Sequence, residues 1–126
     1  RSSAASDVYK RQAYDKKLVA LADQIGTEKG LRLMHGVYIG TPGPTFETPA
    51  EYEYFRIIGG DAVGMSTVPE VIVANHAGMR VFGLSVITDL GGKDITEVPS
   101  HEEVQKAAIK AQPTVEAIVK EMVARC

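Results

Sequence analysis

The sequence predicts an α/β fold in which a mainly parallel, twisted sheet is flanked by helices. A strand over residues 61–65, a helix over 68–77 and a strand over 80–88 follow one another, and this order is typical of a parallel unit with a right-handed crossover. The segment VFGLSVI in the last of these strands is almost continuously apolar, as expected for a strand that is covered on both faces.

The first elements of the chain follow from the spacing of apolar residues. Leu18, Leu21, Ala22 and Ile25 lie at helical spacing, which predicts a helix over residues 14–26 that ends at Gly26. This helix should lay one apolar stripe on the sheet. Residues 32–39 are apolar apart from a short interruption and predict the first strand.

The next helix has clear start and stop signals. Thr48 followed by Glu51 is a capping box with a proline at the first helical position, so the helix should run over residues 49–58. Gly59 and Gly60 follow, and a left-handed cap at the end of a helix favours glycine.

The capping-box pattern occurs twice more in the chain. Thr67 is followed by Glu70, and Ser100 by Glu103, which predicts two further helix starts. Apolar residues at helical spacing continue from Ser100 to the end of the sequence, so the last element should be an amphipathic helix. Pro113 should kink it, because proline removes a backbone hydrogen bond and crowds the preceding turn.

Composition places the chain among ordinary folded domains. Of its 126 residues, 44% are hydrophobic and 24% are charged, and the net charge is −2. The chain therefore lacks the excess positive charge that binds the phosphate backbone of nucleic acid. No apolar run is long enough to span a bilayer. The single cysteine, Cys126, excludes a disulfide within the chain and favours a reducing, cytoplasmic location.

The first twelve residues differ from the rest. The stretch RSSAASDVYKRQ is small, polar and charged and lacks any periodicity, and it contains no apolar core of a secretory signal. We therefore expect residues 1–12 to be a disordered or non-native tail and residues 13–126 to form the folded part.

The residues alone leave the functional site open. Polar side chains at the expected strand ends and helix starts are the candidates, because ligands bind at the carboxyl ends of parallel strands; they are Glu47, Ser66, Thr88, Asp89 and His101. Each has a purely structural alternative as a helix cap, a solvated loop residue or a surface histidine. The three histidines are far apart and no cysteine cluster accompanies them, so we expect no metal, and no P-loop or dinucleotide fingerprint occurs.

A longer sequence pattern favours a functional role for these residues over a purely structural one. The run GPTFETPAEYEYFRIIGGDAVGMSTVPEVIVANHAGMRVFGLSVITD closely resembles the trimeric, low-molecular-mass class of purine nucleoside phosphorylases, and the resemblance covers residues 36–124. The combination of GPTFET with GMSTVPE is long and specific. It implies the C-terminal part of an α/β phosphorylase fold and of an enzyme in which phosphate displaces the purine from C1′ of the ribose.

The resemblance also implies roles for individual residues. Phe46 and Val63 would wall the purine, and Glu47 would accept a hydrogen bond from its N1–H. Thr88 and Asp89 would face its N7 and O6 side. The other implied contacts are Met65 beneath the ribose, Gly64 and Tyr38 in the substrate pocket, Ser66 on phosphate and His101 at the ribose 5′-hydroxyl. Glu47, Asp89 and His101 would form the catalytic set.

These roles suit the reaction. Breaking the glycosidic bond builds positive charge on the sugar and negative charge on the departing purine, so the site must hold an anionic nucleophile and hydrogen-bond the base. A serine at a helix start suits phosphate, a methionine offers a soft apolar surface, and a carboxylate accepts from an N–H edge. Phosphate is then a co-substrate, and no cofactor is expected.

The chain departs from the family pattern at two positions. Asn75 stands where relatives usually have arginine, which affects a local ion pair. Asp89 stands where many relatives have asparagine, which affects substrate choice. The glycine-serine phosphate loop of the family is also absent from this sequence.

Three interpretations remain open at this stage. The first is a fragment of a cytoplasmic, homotrimeric purine nucleoside phosphorylase that salvages inosine and guanosine, including the deoxy forms. The second is a methylthioadenosine phosphorylase, against which Glu47 argues, since adenine N1 is an acceptor. The third is a non-catalytic nucleobase-binding or oligomerisation module, favoured by the missing phosphate loop.

Overall fold

The computed structural model describes residues 13–92 and 100–126. The predicted tail at 1–12 and most of the loop before the last helix lie outside the described residues. The described elements are, in chain order, α1 (Lys16–Glu28), β1 (Tyr38–Gly40), α2 (Pro49–Ile57), β2 (Ala62–Gly64), α3 (Val68–His76) and α4 (His101–Arg125).

The two strands pair in parallel, with Tyr38 opposite Ala62 and Gly40 opposite Gly64. One backbone hydrogen bond prolongs the pairing at the carboxyl end, where the Thr41 N–H donates to the Gly64 carbonyl at 2.9 Å. Because α2 connects two parallel neighbours, the chain makes a strand–helix–strand unit. The predicted α/β class with a parallel sheet and flanking helices is confirmed.

The best-buried residues lie between the first and last helices. Ile25 of α1 and Ile118 of α4 are 0% and 1% exposed, and the rest of this core is formed by Leu18, Ala22 and Met122. At the edge of the contact Arg125 forms an ion pair with Glu28 at 2.8 Å. The stripe of α1 that we predicted to face the sheet is therefore buried mainly against α4.

Helix α2 begins and ends as its sequence predicts. Thr48 and Glu51 form a reciprocal capping box, which satisfies two backbone donors at the helix start. At the other end Gly59 has φ +92°, and the Gly60 N–H donates to the Phe55 carbonyl at 2.8 Å. This is a Schellman motif, in which a glycine takes the left-handed conformation without a steric penalty.

Helix α1 ends later than predicted. It passes through Gly26, which is buried, and runs to Glu28. A Cβ on Gly26 would lie 3.1 Å from the Leu33 side chain, so the glycine allows a close approach instead of a cap. The left-handed cap is Gly30, at φ +66°.

The predicted strands at residues 32–39 and 80–88 are corrected by the structure. Only residues 38–40 of the first are in a strand, and within the described part of the chain residues 80–88 belong to none. A strand requires a partner ladder, whereas the Val81 carbonyl accepts from Asp15 N–H at 2.8 Å, a residue at the start of α1. Apolar composition predicted the strand, but composition does not provide a neighbour for it.

The last helix agrees with the sequence. Ser100 and Glu103 form the predicted capping box, and α4 is continuous over 25 residues with Pro113 inside it; the kink stays a prediction. None of the helices in the described ranges combines the length and apolar character that crossing a bilayer requires.

Candidate functional site

The carboxyl ends of the two parallel strands bring the candidate residues together. The loop after β1 leads through Thr41 to Glu47, and β2 leads directly into Met65, Ser66 and Thr67. The hydrogen bond from Thr41 to Gly64 keeps these two exits side by side. This is the edge of a parallel sheet at which ligands bind.

Glu47 is held in place by a neighbouring hydroxyl. The Thr41 Oγ1 donates to Glu47 Oε1 at 3.0 Å, in a partly buried position. Tyr52, on α2, lies within range of the negative charge of Glu47. The Thr41 hydroxyl therefore holds a carboxylate near the end of β1, and the other lone pairs of that carboxylate can accept from the N–H group of a ligand.

Asp89 also lies within range of Tyr52. Burial of the Tyr52 phenol raises its pKa above the usual value, and the negative charges of Glu47 and then Asp89 raise it further, since both disfavour a phenolate. The Thr88 Oγ1 donates to Asp89 Oδ1 at 2.7 Å. The structure thus joins Thr88 to Asp89 and leaves both Asp89 and Glu47 within range of the Tyr52 phenol.

Tyr52 itself was missed by the sequence analysis. A Cβ on Gly91 would lie 2.2 Å from its ring, so the ring rests against the backbone of the segment that follows Asp89. A faint signal lies in its position, because Tyr52 is a polar aromatic residue one turn after Thr48 in a helix beside the candidate carboxylate. No pattern in the sequence places it next to Asp89.

The apolar candidates line the same strand ends. The Tyr38 ring packs against Gly64, where a Cβ would lie 3.0 Å from the ring carbon that bears the hydroxyl. Val63 is half-buried within β2, whereas Phe46 and Met65 are 44% and 42% exposed. Exposed large apolar side chains beside a fixed carboxylate are what a flat heteroaromatic ligand requires.

The turn after β2 differs from the sequence prediction. Thr67 does not cap α3 with its side chain; its backbone is at φ +76°, ψ −54°, and the Val68 N–H donates to the Ser66 carbonyl at 2.8 Å. This is a γ-turn, a strained conformation for a residue with a branched side chain. It costs about 1–3 kcal/mol, and strain of this kind concentrates at functional sites.

His101 is not brought to the carboxylates by any contact among the described residues. It is the first residue of α4, it is exposed, and its Nε2 lies 2.9 Å from Gln105 Nε2 on the same helix. Asn75, the departure from the family pattern, ends α3 by donating to the carbonyls of Ala13 and Val71 at 2.9 and 2.8 Å. The amide thus links the end of α3 to the segment before α1.

Comparison with known proteins identifies the family. Residues 4–124 match the model of the phosphorylase superfamily. The chain belongs to this superfamily.

Individual phosphorylases show how much of the fold the chain represents. Purine nucleoside phosphorylase 1 of Bacillus subtilis is 47% identical over 113 residues, which are 90% of this chain and 42% of that protein. The Rattus norvegicus purine nucleoside phosphorylase is 47% identical over 121 residues, 94% of this chain and 41% of the rat protein. The crystal structure of Schistosoma mansoni purine nucleoside phosphorylase in complex with inosine has a TM-score of 0.85 at 37% identity, and covers 90% of this chain and 42% of its own. The chain therefore spans about two-fifths of the length of these relatives.

Proposed function

We propose that this chain is the C-terminal part of a purine nucleoside phosphorylase, an enzyme that transfers the pentosyl group of inosine, guanosine and their deoxy forms to inorganic phosphate. The products are the free base and (deoxy)ribose 1-phosphate, and the role is purine salvage. The observation that carries this proposal is Glu47, which the Thr41 hydroxyl holds near the end of a parallel strand.

Glu47 explains why a 6-oxopurine is the substrate. Hypoxanthine and guanine carry N1–H, which a carboxylate accepts, whereas adenine N1 is itself an acceptor and would face the carboxylate lone pairs. Phe46 and Val63 would stack on and border the purine, and Thr88 and Asp89 would meet its N7 and O6 edge. Tyr38 and Gly64 would complete the pocket behind the base. These assignments are supported by the hydrogen bonds that hold the two carboxylates, from Thr41 to Glu47 and from Thr88 to Asp89.

The reaction then follows from where charge develops. A phosphate oxygen forms a bond to C1′ as the bond from C1′ to the purine nitrogen breaks, and the electron pair leaves with the base. Ser66 is exposed beside the γ-turn that precedes α3, so its hydroxyl and the first amides of the helix would hold the phosphate. Met65 would pack under the ribose, and Asp89 would accept a hydrogen bond from N7–H once the departing purine has taken up a proton from solvent. His101 would contact the ribose 5′-hydroxyl.

We infer that the complete enzyme is a cytoplasmic homotrimer that uses phosphate as a co-substrate and needs no metal or organic cofactor. The single cysteine supports a reducing compartment. The family resemblance supports the trimer and the absence of a cofactor, and neither nucleic acid nor a membrane is expected as a partner.

The test is phosphorolysis by the complete enzyme, made by joining this chain to the remaining part of a phosphorylase subunit such as that of Bacillus subtilis. Glu47→Ala should lower kcat/KM for inosine by about 5- to 150-fold, because the N1–H of the bound purine loses its partner. Glu116→Ala, which removes an exposed ion pair with Lys120 on α4, is the matched control and should leave activity unchanged. Equal activity of the Glu47 variant and the unmodified protein would remove Glu47 from the site.

A further inference from the structure

Thr41 makes two hydrogen bonds that join different parts of the candidate site. It is the first residue after β1, and its backbone N–H donates to the carbonyl of Gly64, the last residue of β2, at 2.9 Å. Its side-chain Oγ1 donates to Glu47 Oε1 at 3.0 Å, in a partly buried position. One residue therefore links the exits of both strands to the carboxylate that would recognise the purine.

The surroundings of Thr41 restrict the direction of its hydroxyl. Pro42 follows it, and a residue before proline is confined to extended backbone conformations because the proline ring crowds it. The hydrogen bond to Gly64 fixes the same peptide against β2. A threonine side chain is also branched at Cβ, which restricts its first torsion angle. The hydroxyl is therefore held in one direction before a ligand binds.

The hydroxyl in turn limits the orientations of Glu47. Its hydrogen bond closes the loop over residues 41–47, so the two ends of this loop stay in contact. Because Thr41 donates to Oε1, the carboxyl group cannot turn freely about its Cγ–Cδ bond, and Oε2 keeps a constant position from which it can accept a ligand N–H. Ordering a glutamate side chain costs rotamer entropy, and a donor that is already in place reduces this cost at the moment of binding.

We propose that Thr41 is a positioning residue for purine recognition, and that its hydroxyl holds the Glu47 carboxylate in the orientation that accepts from the N1–H of a 6-oxopurine. This inference rests on the proposed function and deepens it. Thr41 acts through Glu47 and not through direct contact with the substrate, and it contributes in this way to the choice of base.

The variant Thr41→Val isolates the hydroxyl, because valine keeps the size, the branching at Cβ and the backbone N–H that reaches Gly64. In the complete enzyme it should lower kcat/KM for inosine by about 5- to 20-fold, the effect of one lost hydrogen bond. Purine riboside has no hydrogen on N1, so its inhibition constant as a competitor of inosine should change by less than about 2-fold. Thr41→Ser restores a hydroxyl and should recover most of the activity toward inosine.

The matched control is Thr27→Val on α1. The Thr27 hydroxyl also donates one hydrogen bond, to the Asp23 carbonyl at 2.9 Å, but it lies outside the candidate site, so this variant should leave both measurements unchanged. A purely structural role of Thr41 would weaken inosine turnover and purine riboside binding by the same factor. Thr41→Ala also lacks the hydroxyl and should reproduce the selective loss. Failure of both Thr41→Val and Thr41→Ala to fold, seen by circular dichroism, would overturn the positioning role.

A double-mutant cycle shows whether Thr41 acts through Glu47. In the Glu47→Ala background Thr41→Val should cause no further loss for inosine, because residues that act as one unit are not additive. Additive losses, equal losses for the two ligands, or no rescue by Thr41→Ser would overturn the role of Thr41 while leaving phosphorolysis by the unmodified enzyme intact. Absence of inosine phosphorolysis in the unmodified complete enzyme would instead overturn the proposed function itself.

Discussion

Replacing Asp89 by asparagine should sharpen the preference for 6-oxopurines. The Asp89 side chain is half-buried, and its Oδ1 already accepts from the Thr88 hydroxyl at 2.7 Å. Only Oδ2 is left for a ligand, and a carboxylate oxygen can only accept. If Oδ2 of Asp89 faces the 6-position of the purine, it therefore suits the amino group of adenosine better than the O6 of inosine. Glu47 still favours inosine, because it accepts from N1–H.

The size of the effect follows from these contacts. An asparagine keeps an acceptor for Thr88 and adds an NH₂ donor, so inosine gains a neutral hydrogen bond while adenosine loses a charge-assisted one. Together these changes amount to about 1.5–2.5 kcal/mol, so the inosine-to-adenosine ratio of kcat/KM should rise roughly 10- to 70-fold. Inosine should remain the better substrate in both proteins.

The measurement is release of hypoxanthine and adenine by the complete enzyme at saturating phosphate. Asp23→Asn is the matched control, because Asp23 lies on α1 in an exposed pair with His35 at 2.8 Å and should leave the ratio unchanged. If Asp89→Asn gives the same ratio as the parent, Asp89 does not meet the base edge and the reasoning from Thr88 is wrong.

Further outcomes test the turn, the core, the tyrosine and the chain itself. Thr67→Gly should raise the free energy of unfolding in urea by about 1 kcal/mol, since relief of about 1–3 kcal/mol of strain exceeds the entropy cost of glycine. The same variant should lower kcat, because Ser66 is less well oriented. A less stable variant would show that the γ-turn is not strained. Ile118→Ala should cost about 2–5 kcal/mol, and Val119→Ala, at a position that is 44% exposed, much less; similar losses would place the core elsewhere. The folded-state pKa of Tyr52 is raised above its ordinary value of 10.0, so the stability that its protonated form contributes should be complete below pH 10 and fall as pH rises through the folded-state pKa. Thermal melts of Tyr52→Phe should lack that component of the decline, and identical slopes in the two proteins would contradict it. Residues 1–126 alone should show no phosphorolysis and should self-associate through exposed apolar faces, whereas a monomer that turns over inosine would refute this.

Helix ends were predictable because their causes are local. The capping box at Thr48 and Glu51 and the left-handed Gly59 depend on residues within one turn of the helix end, and the sequence contains all of them. Gly26 shows the limit of this reasoning. Gly26 and Gly30 are both glycines near the end of α1, but whether a glycine caps a helix or allows a close contact depends on Leu33, which comes from outside the helix.

Strands and site contacts depend on partners that are distant in sequence. Residues 80–88 have a suitable composition, yet the backbone of Val81 is engaged by Asp15, and no apolar pattern encodes that choice. The same holds for the turn after β2. Thr67 has the sequence of an N-cap, but its backbone forms a γ-turn. At this exit from β2 the Val68 side chain packs over Gly40, where a Cβ would lie 2.7 Å from it.

The candidate carboxylates were found through the resemblance, whereas their arrangement required the structure. Glu47 and Asp89 are 42 positions apart in the sequence, and only the structure places both within range of the Tyr52 phenol. No sequence pattern could show that Tyr52 lies near both carboxylates, because its neighbours come from two other segments of the chain.

The grouping of two carboxylates around one phenol also limits what this site can recognise. The Thr41 hydroxyl donates to Glu47, and the Thr88 hydroxyl donates to Asp89. The oxygens that remain can only accept from a ligand, so the described part of the site favours a base edge that is rich in N–H groups. A 6-oxopurine meets this requirement at N1, and its 2-amino derivative meets it twice. The free acceptor oxygens of Glu47 therefore support inosine and guanosine as the proposed substrates. The free acceptor oxygen of Asp89 explains why the preference between 6-oxopurines and 6-aminopurines is the property that a substitution changes most easily.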